Sequence, residues 1–332
     1  MKTGLKGKHL LCEQDWSNEE LETLFQVSSD LKMSYALGRE TEYCKNKSLF
    51  MLFFEESTRT RNAFECGITQ LGGHGNYLTP KATQIDHGET PKDTIDVLAR
   101  MGHAIGVRNT LVNGHKWMEE LAKYSKIPVY NMQCDIWHPT QSLADLFTIK
   151  EKFNNDLKGK KFVISWTSAG QYMRPLSMAQ SLVTLMPRFG LDVTLAHPKG
   201  FELQPEVMEM AKENARKYGS KFEVVHDMDE ACKDADVIYA KGWGPIMTVG
   251  DDEAAGVKMI NENPGWIVDS RRMKLAKESA IYMHCMPADR DIEVTSEVMD
   301  GPQSVIYDEA ENRMHTIKAL MALTMGNVDS KR

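Results

Sequence analysis

Ser48-Leu49-Phe50-Met51-Leu52-Phe53-Phe54 runs into Glu55-Glu56-Ser57-Thr58-Arg59-Thr60-Arg61, and Asn62 to Leu71 then follows with helical spacing. The apolar and aromatic run reads as a buried strand, Ser48–Phe54, and the last segment as an amphipathic helix, Asn62–Leu71. A short polar turn from buried strand into helix is the repeating unit of α/β proteins built on a mainly parallel sheet. The turn also suits an anion. Unpaired N–H groups at a helix start, with the helix dipole, bind phosphate. Ser57, Thr58 and Thr60 add hydroxyls, and Arg59 offers a planar fork matched to phosphate oxygens. A plain helix cap beside two solvated arginines would not require three hydroxyls packed so tightly with them.

Working outward, the pattern repeats. Strands are expected at Gly75–Pro80, Ala104–Asn109 and Ile127–Met132, with helices around Asn62–Leu71, Pro91–Met101 and Lys116–Tyr124. A further helix, Pro139–Phe153, has proline at its permitted first turn. After the polar link Asn154 to Gly159 a second series begins. Its strands are expected at Lys161–Trp166, Asp192–Pro198, Phe222–His226, Asp236–Ala240, Gly265–Asp269 and Ala280–Cys285. Helices Ser177–Phe189 and Pro205–Tyr218 should end on left-handed caps at Gly190 and Gly219. The last helix carries Ala310, Met314, Ile317, Met321 and Thr324 on one face. These elements predict two doubly wound parallel-sheet α/β domains. The first spans residues 1–153, with helix 308–326 packing back on it; the second spans 154–307.

The 332 residues exceed what one core usually organises, which fits two domains. A formal charge of -7 argues against nucleic acid or an anionic membrane as the main partner. No apolar run reaches the roughly 20 residues of a membrane span, and the N-terminus does not read as a signal peptide. Six scattered cysteines without a CxxC pair fit reduced thiols in a cytoplasm. No HExxH, EF-hand or paired Cys/His spacing calls for a metal.

Other segments fall where strands end, the edge at which open α/β sheets bind ligands. His138-Pro139-Thr140-Gln141 places His138 and Gln141 three apart at a helix start, facing one point. Arg108 closes the strand that begins at Ala104. Met283-His284-Cys285-Met286-Pro287-Ala288-Asp289-Arg290 ends another strand, with His284 and Cys285 expected on opposite faces. Asp308, Glu309 and Glu311 suit the dipole of the last helix, whereas Arg313 there is a cation that matters only if it turns toward the phosphate-type loop.

These segments, in this order, resemble the transcarbamylase family that includes the ornithine and aspartate carbamoyltransferases, over roughly Leu21 to Gly326. The resemblance implies two domains joined by long helices, a homotrimer with active sites between subunits, and no cofactor or metal. It implies that Ser57, Thr58, Arg59 and Thr60 hold the phosphate of carbamoyl phosphate. Arg108 and His138 then meet its carbonyl oxygen, with Thr60 beside them, and Gln141 meets its amide nitrogen. The carbonyls of Cys285 and Met286 would orient the carbamoyl NH2 or the attacking amine, Arg313 would close over the substrate, and Gln84 would reach the neighbouring subunit's site.

The acceptor side departs from the ornithine pattern. An Asn-Asn pair early in the second domain and a later SMG are both missing. Trp166-Thr167-Ser168-Ala169-Gly170-Gln171-Tyr172-Met173-Arg174-Pro175-Leu176 and Tyr239-Ala240-Lys241-Gly242-Trp243-Gly244 stand in their places. Both resemble the knotted branch, whose members include users of N-acetyl- or N-succinylornithine, and so imply a knot in the second domain. Lys241, Trp243, Asp289 and Arg290 are the candidate acceptor contacts. The expected reaction carbamoylates an ornithine-like or N-acylated ornithine amino acid. The alternatives are another amine (diaminopropionate, putrescine or a ureido-type acceptor) and a non-catalytic carbamoyl-phosphate-binding homologue. A nicotinamide dehydrogenase is disfavoured because the turn after Lys161–Trp166 lacks GxGxxG. A cysteine amidotransferase pairing Cys285 with His138 would need a reactive thiolate.

Overall fold

The computed structural model describes residues 3–169 and 172–328. Two compact units emerge: one takes the residues up to Phe147 together with those from Ala310 onward, and the other runs from Thr148 to Glu309. The chain passes between them within two helices, Pro139–Lys152 and Ile306–Thr324.

In the first unit α1 (Asn18–Ala36) precedes β1 (Ser48–Phe53), α2 (Thr58–Gln70), β2 (His74–Leu78), α3 (Pro91–Leu98), β3 (Ala104–Asn109), α4 (Gly114–Tyr124) and β4 (Val129–Cys134). Helix α5 (Pro139–Lys152) then leaves the unit and α13 (Ile306–Thr324) returns to it. The four strands are parallel in the order β2-β1-β3-β4. Burial explains the strands: Leu49, Met51, Leu52 and Phe53 are all essentially inaccessible, as a sheet covered on both faces requires. From β1 the chain steps outward to β2, then returns past β1 to β3. Strand order therefore reverses between β1 and β3, the crevice where such sheets take ligands.

The second unit contains β5 (Lys161–Trp166), α6 (Ser177–Leu185), β6 (Asp192–Ala196), α7 (Pro205–Tyr218), β7 (Phe222–Val225), α8 (Met228–Cys232) and β8 (Val237–Lys241). The short helices α9 (Ile246–Val249), α10 (Glu253–Asn261) and α11 (Ser270–Met273) lead to β9 (Ile281–Met283) and α12 (Ser296–Met299). Its strands are also parallel, in the order β7-β6-β5-β8-β9, so the reversal lies between β5 and β8. Gly190 and Gly219 adopt φ of 85° and 73°, the left-handed caps expected of them.

Two expectations change. Gly265–Asp269 is not a strand: Val268 makes one isolated bridge to Val294, and the Asp269 carboxylate instead accepts from the Arg272 N–H to start α11. Helix α1 was not anticipated, although Ser17 and Glu20 form a complete capping box at its start. Gly170 and Gln171, within the segment that stands in for the Asn-Asn pair, lie outside the described residues. Among the described residues no helix is long and apolar enough to cross a membrane.

Candidate active site

In the first unit, three neighbouring strands deliver the expected residues to one sheet edge. Phe53 of β1 pairs in register with Arg108 of β3, and Arg108 with Gln133 of β4. Adjacent strands lie about 4.8 Å apart. The Ser57 turn after β1, Arg108 itself, and the His138 turn after β4 therefore share the edge that contains the strand-order reversal. The β3–β4 register shifts between Val107 and Arg108, a local bulge of the kind that re-aims a side chain.

The anion turn is built by its own cap. Ser57 is extended (φ -155°, ψ 115°), and its hydroxyl accepts from the Thr60 N–H at 3.3 Å, which opens α2. Thr60 is buried, and its Oγ1 accepts from Arg313 Nη2 at 2.8 Å. That bond ties the returning helix α13 to the start of α2, and it leaves the Thr60 O–H proton free to donate. The turn of Arg313 toward this loop was the condition for giving it a role. Arg61 lies outside that arrangement: it contacts Glu65 at 3.3 Å and stacks 3.9 Å over the Tyr77 ring. The open groove beside the turn is lined by Ser57, Thr58 and Arg61, among others.

Arg108 donates from Nη1 to Gln133 Oε1, which fixes the guanidinium over the sheet edge. The turn after β4 is braced by several bonds. Asn131 Nδ2 donates to the Leu11 carbonyl at 2.8 Å, the Cys134 N–H to the Trp137 carbonyl at 2.9 Å, and Asp135 accepts from the His115 N–H at 2.8 Å. Held in this way, His138 sits buried just before α5 and Gln141 buried on its first turn. Gln141 Nε2 donates to Asp145 Oδ1 at 2.7 Å. That bond assigns the amide orientation, so Gln141 turns its carbonyl oxygen, an acceptor, away from Asp145. Gln84 is exposed on a short 3-10 turn, Gln84–His87.

In the second unit β9 ends at Met283, so His284 and Cys285 lie just past the strand instead of on it, His284 buried and Cys285 half-buried. Lys241 ends β8 beside Trp166 of β5, at that sheet's own strand-order reversal. It is 9% exposed, and Nζ donates to the adjacent Gly242 carbonyl at 2.8 Å. Burial, reinforced by Arg174, pushes its ammonium below the usual lysine range. Asp289 accepts from Arg174 Nη2 at 2.8 Å.

The other two acceptor candidates take different roles. Trp243 is fully buried, donating Nε1 to the Phe201 carbonyl at 2.9 Å, and so packs the core. Arg290 forms a two-point pair with Asp300 at 2.6 and 2.7 Å on the surface. Reading residue types alone could not separate these from Lys241. The same reading missed Glu293 and Arg174, which are buried in contact with each other at 2.8 Å. An acid and a base 119 positions apart carry no local signal of pairing.

Known proteins resemble this chain over almost its whole length. Residues 8–151 match the aspartate/ornithine carbamoyltransferase carbamoyl-P binding domain, and residues 174–324 match the Asp/Orn binding domain. The chain belongs to the aspartate/ornithine carbamoyltransferase family. It is an enzyme of that class, a carbamoyltransferase. The ornithine carbamoyltransferase of Thermococcus kodakarensis is 41% identical over 328 residues, covering 99% of each chain. That of Halalkalibacterium halodurans is 40% identical, covering 97% of each. The structure of ornithine carbamoyltransferase from Pyrococcus furiosus superimposes with a TM-score of 0.87 at 39% identity, covering 97% of this chain and 98% of that one. An acetylornithine transcarbamylase complexed with acetylcitrulline also reaches 0.87, at 35% identity, covering 96% and 99%. Equal scores for enzymes named for two acceptors mean that the overall fold does not discriminate between those acceptors.

Proposed function

We propose that the chain moves the carbamoyl group of carbamoyl phosphate onto an amino group of an ornithine-like or N-acylated ornithine amino acid, releasing phosphate. The observation that carries the donor half is the Arg313–Thr60 bond at the start of α2, on the same sheet edge as Arg108 and His138. It supplies a buried hydroxyl with its proton available, beside a helix N-terminus.

In this reading Ser57, Thr58, Arg59 and the first N–H groups of α2 take the phosphate. The acceptor's neutral amine attacks the carbamoyl carbon, and the C–N bond forms while the C–O bond to phosphate breaks. Negative charge on the carbonyl oxygen meets donors from Arg108, His138 and Thr60, already in place before charge develops. The amine's proton passes to the departing phosphate. Gln141 meets the carbamoyl nitrogen through its oxygen, which matches the orientation set by Asp145. The backbone carbonyls of Cys285 and Met286 orient the carbamoyl NH2 or the attacking amine.

Lys241 supports an anionic group on the acceptor. A buried ammonium that donates to its own neighbour's carbonyl gains a charged partner when a carboxylate arrives. Asp289 joins it as the second acceptor contact. The exposed Gln84 serves a neighbouring copy in a homotrimer.

Acceptor-dependent phosphate release from carbamoyl phosphate tests the proposal. The panel is ornithine, N-acetylornithine, N-succinylornithine, lysine, diaminopropionate, putrescine and aspartate. Release with an ornithine-type amino acid supports it. Release with putrescine alone refutes the anionic acceptor, and failure to bind carbamoyl phosphate refutes the donor site.

A further inference from the structure

Glu293 ties together the ends of three strands. Its Oε1 accepts from the Gly242 N–H at 2.9 Å, just past β8, and from Thr167 Oγ1 at 3.3 Å, just past β5. The same oxygen lies 3.3 Å from His284 Nε2, just past β9. Oε2 accepts from the Asp289 N–H at 2.8 Å and lies 2.8 Å from Arg174 Nη1. The residue is completely buried. A carboxylate surrounded by this many donors stays ionised and is fixed in place.

His284 carries that fixity to the turn beyond. Its Nδ1 accepts from the Met286 N–H at 2.8 Å. A backbone N–H can only donate, so Nδ1 bears the lone pair and the ring proton sits on Nε2, toward Glu293. The ring's own main-chain N–H donates to Glu309 Oε2 at 2.9 Å, and Tyr239 OH donates to Glu309 Oε1 at 3.3 Å. Burial disfavours the charged ring, which keeps Nδ1 unprotonated. Met286 has φ 52°, a left-handed conformation uncommon for an unbranched apolar residue and held only where neighbours determine it.

We propose that Glu293 and His284 are positioning residues for carbamoyl transfer. Glu293 keeps His284 in its Nε2–H form, and His284 Nδ1 holds the Met286 N–H so that the Cys285 and Met286 carbonyls keep one direction. This rests on the reading above, in which those carbonyls meet the carbamoyl or acceptor nitrogen. The carbonyls carry no side-chain identity of their own, so their aim depends on this two-residue relay.

Two substitutions separate positioning from general support. His284→Asn puts an amide oxygen where Nδ1 stood, whereas His284→Gln extends toward Glu293 and leaves the Met286 N–H without its acceptor. The Asn variant should keep kcat within roughly a factor of ten, and the Gln variant should lose about 10²-fold, the scale of a 1 Å misplacement. Inhibition by inorganic phosphate, which engages first-unit residues, should be unchanged in both. Equal losses in the two variants, or an unimpaired Gln variant, would overturn the relay. Nitrogen-15 spectra of histidine-labelled wild-type protein provide a readout independent of folding in the variants. They should show His284 as the neutral Nε2–H tautomer, and an Nδ1–H ring would refute the proposal. Absence of turnover in the wild-type chain would remove the functional reading beneath it, while the ring spectra would still decide the tautomer.

Discussion

Replacing Thr60 by valine isolates one hydroxyl. The side chain keeps its branching and nearly its volume, so packing against the buried start of α2 is preserved. Two interactions are lost: the acceptor for Arg313 Nη2 at 2.8 Å and, in the proposed mechanism, the donor to the carbamoyl oxygen. Both partners of the first are buried, at 1% and 2% exposure, so water cannot replace it. A hydrogen bond to a charged group contributes about 1.5–3 kcal/mol. In a unit of about 170 residues each kcal/mol moves the melting temperature by about 2–4 °C, so the first unit should melt about 3–12 °C lower. Loss of an oxyanion donor lowers kcat by about 10²–10³, a separate 2.7–4 kcal/mol or so on the barrier. Calorimetry reads the first effect, and phosphate release assayed below the variant's transition reads the second. Thr60→Ser restores the hydroxyl at a cost of about 1 kcal/mol for the missing methyl, and turnover should recover. A valine variant that melts lower yet turns over within about threefold of wild type would show that the hydroxyl only braces α13.

Other outcomes follow from the same geometry. His138→Ala should lower turnover by about 10²–10³, and an unchanged rate would remove it from the mechanism. Lys241→Met should raise the acceptor's KM while leaving inhibition by inorganic phosphate as it was; a weaker grip on phosphate would contradict its acceptor role. Cys285→Ala should stay within a few-fold of wild type, because its carbonyl survives, whereas near-complete loss would point to the thiol. Burial lowers Lys318 from 10.5 to about 8. Between those values the unfolded chain holds a proton that the folded chain has released. The contribution of Lys318 to stability should therefore rise with pH across that window, by about 3 kcal/mol at most. Buried Cys44, Cys134 and Cys232, pushed up to about 12, pull stability the other way over the same range. Urea unfolding at pH 8 and 10.5 should therefore show wild type gaining stability relative to Lys318→Met as the pH rises, and the same pH response in both would exclude Lys318 as a source.

What the sequence revealed was local. The apolar run at Ser48, the hydroxyl-rich turn after it and the caps at Gly190 and Gly219 are each specified within a few residues, and each appears in place. The errors have local causes as well. Gly265 to Asp269 contains strand-prone Ile267 and Val268, but a capping aspartate competes for the backbone and prevails. Helix α1 carries an equally local mark, the capping box of Ser17 and Glu20. The residues that tie strand ends together lay beyond such reading. Glu293 meets Arg174, His284 and Thr167 only because three strands end side by side, and a buried carboxylate has the same letter as an exposed one. Trp243 shows the converse, since a residue beside a candidate site turned out to serve the core.

The first unit is discontinuous in the chain, and this has a consequence for biogenesis. Its sheet is made early, but Ala310 follows Phe147 by 163 residues, which a ribosome adding roughly 5–20 residues per second covers in about 8–33 s. During that interval Thr60 has no Arg313, and the faces that α13 will cover stand open on the nascent polypeptide. The second unit, contiguous from Thr148 to Glu309, has all its strands out of the tunnel first. The part of the enzyme translated first is thus the last to mature, and the Thr60–Arg313 bond cannot form before α13 has been synthesised.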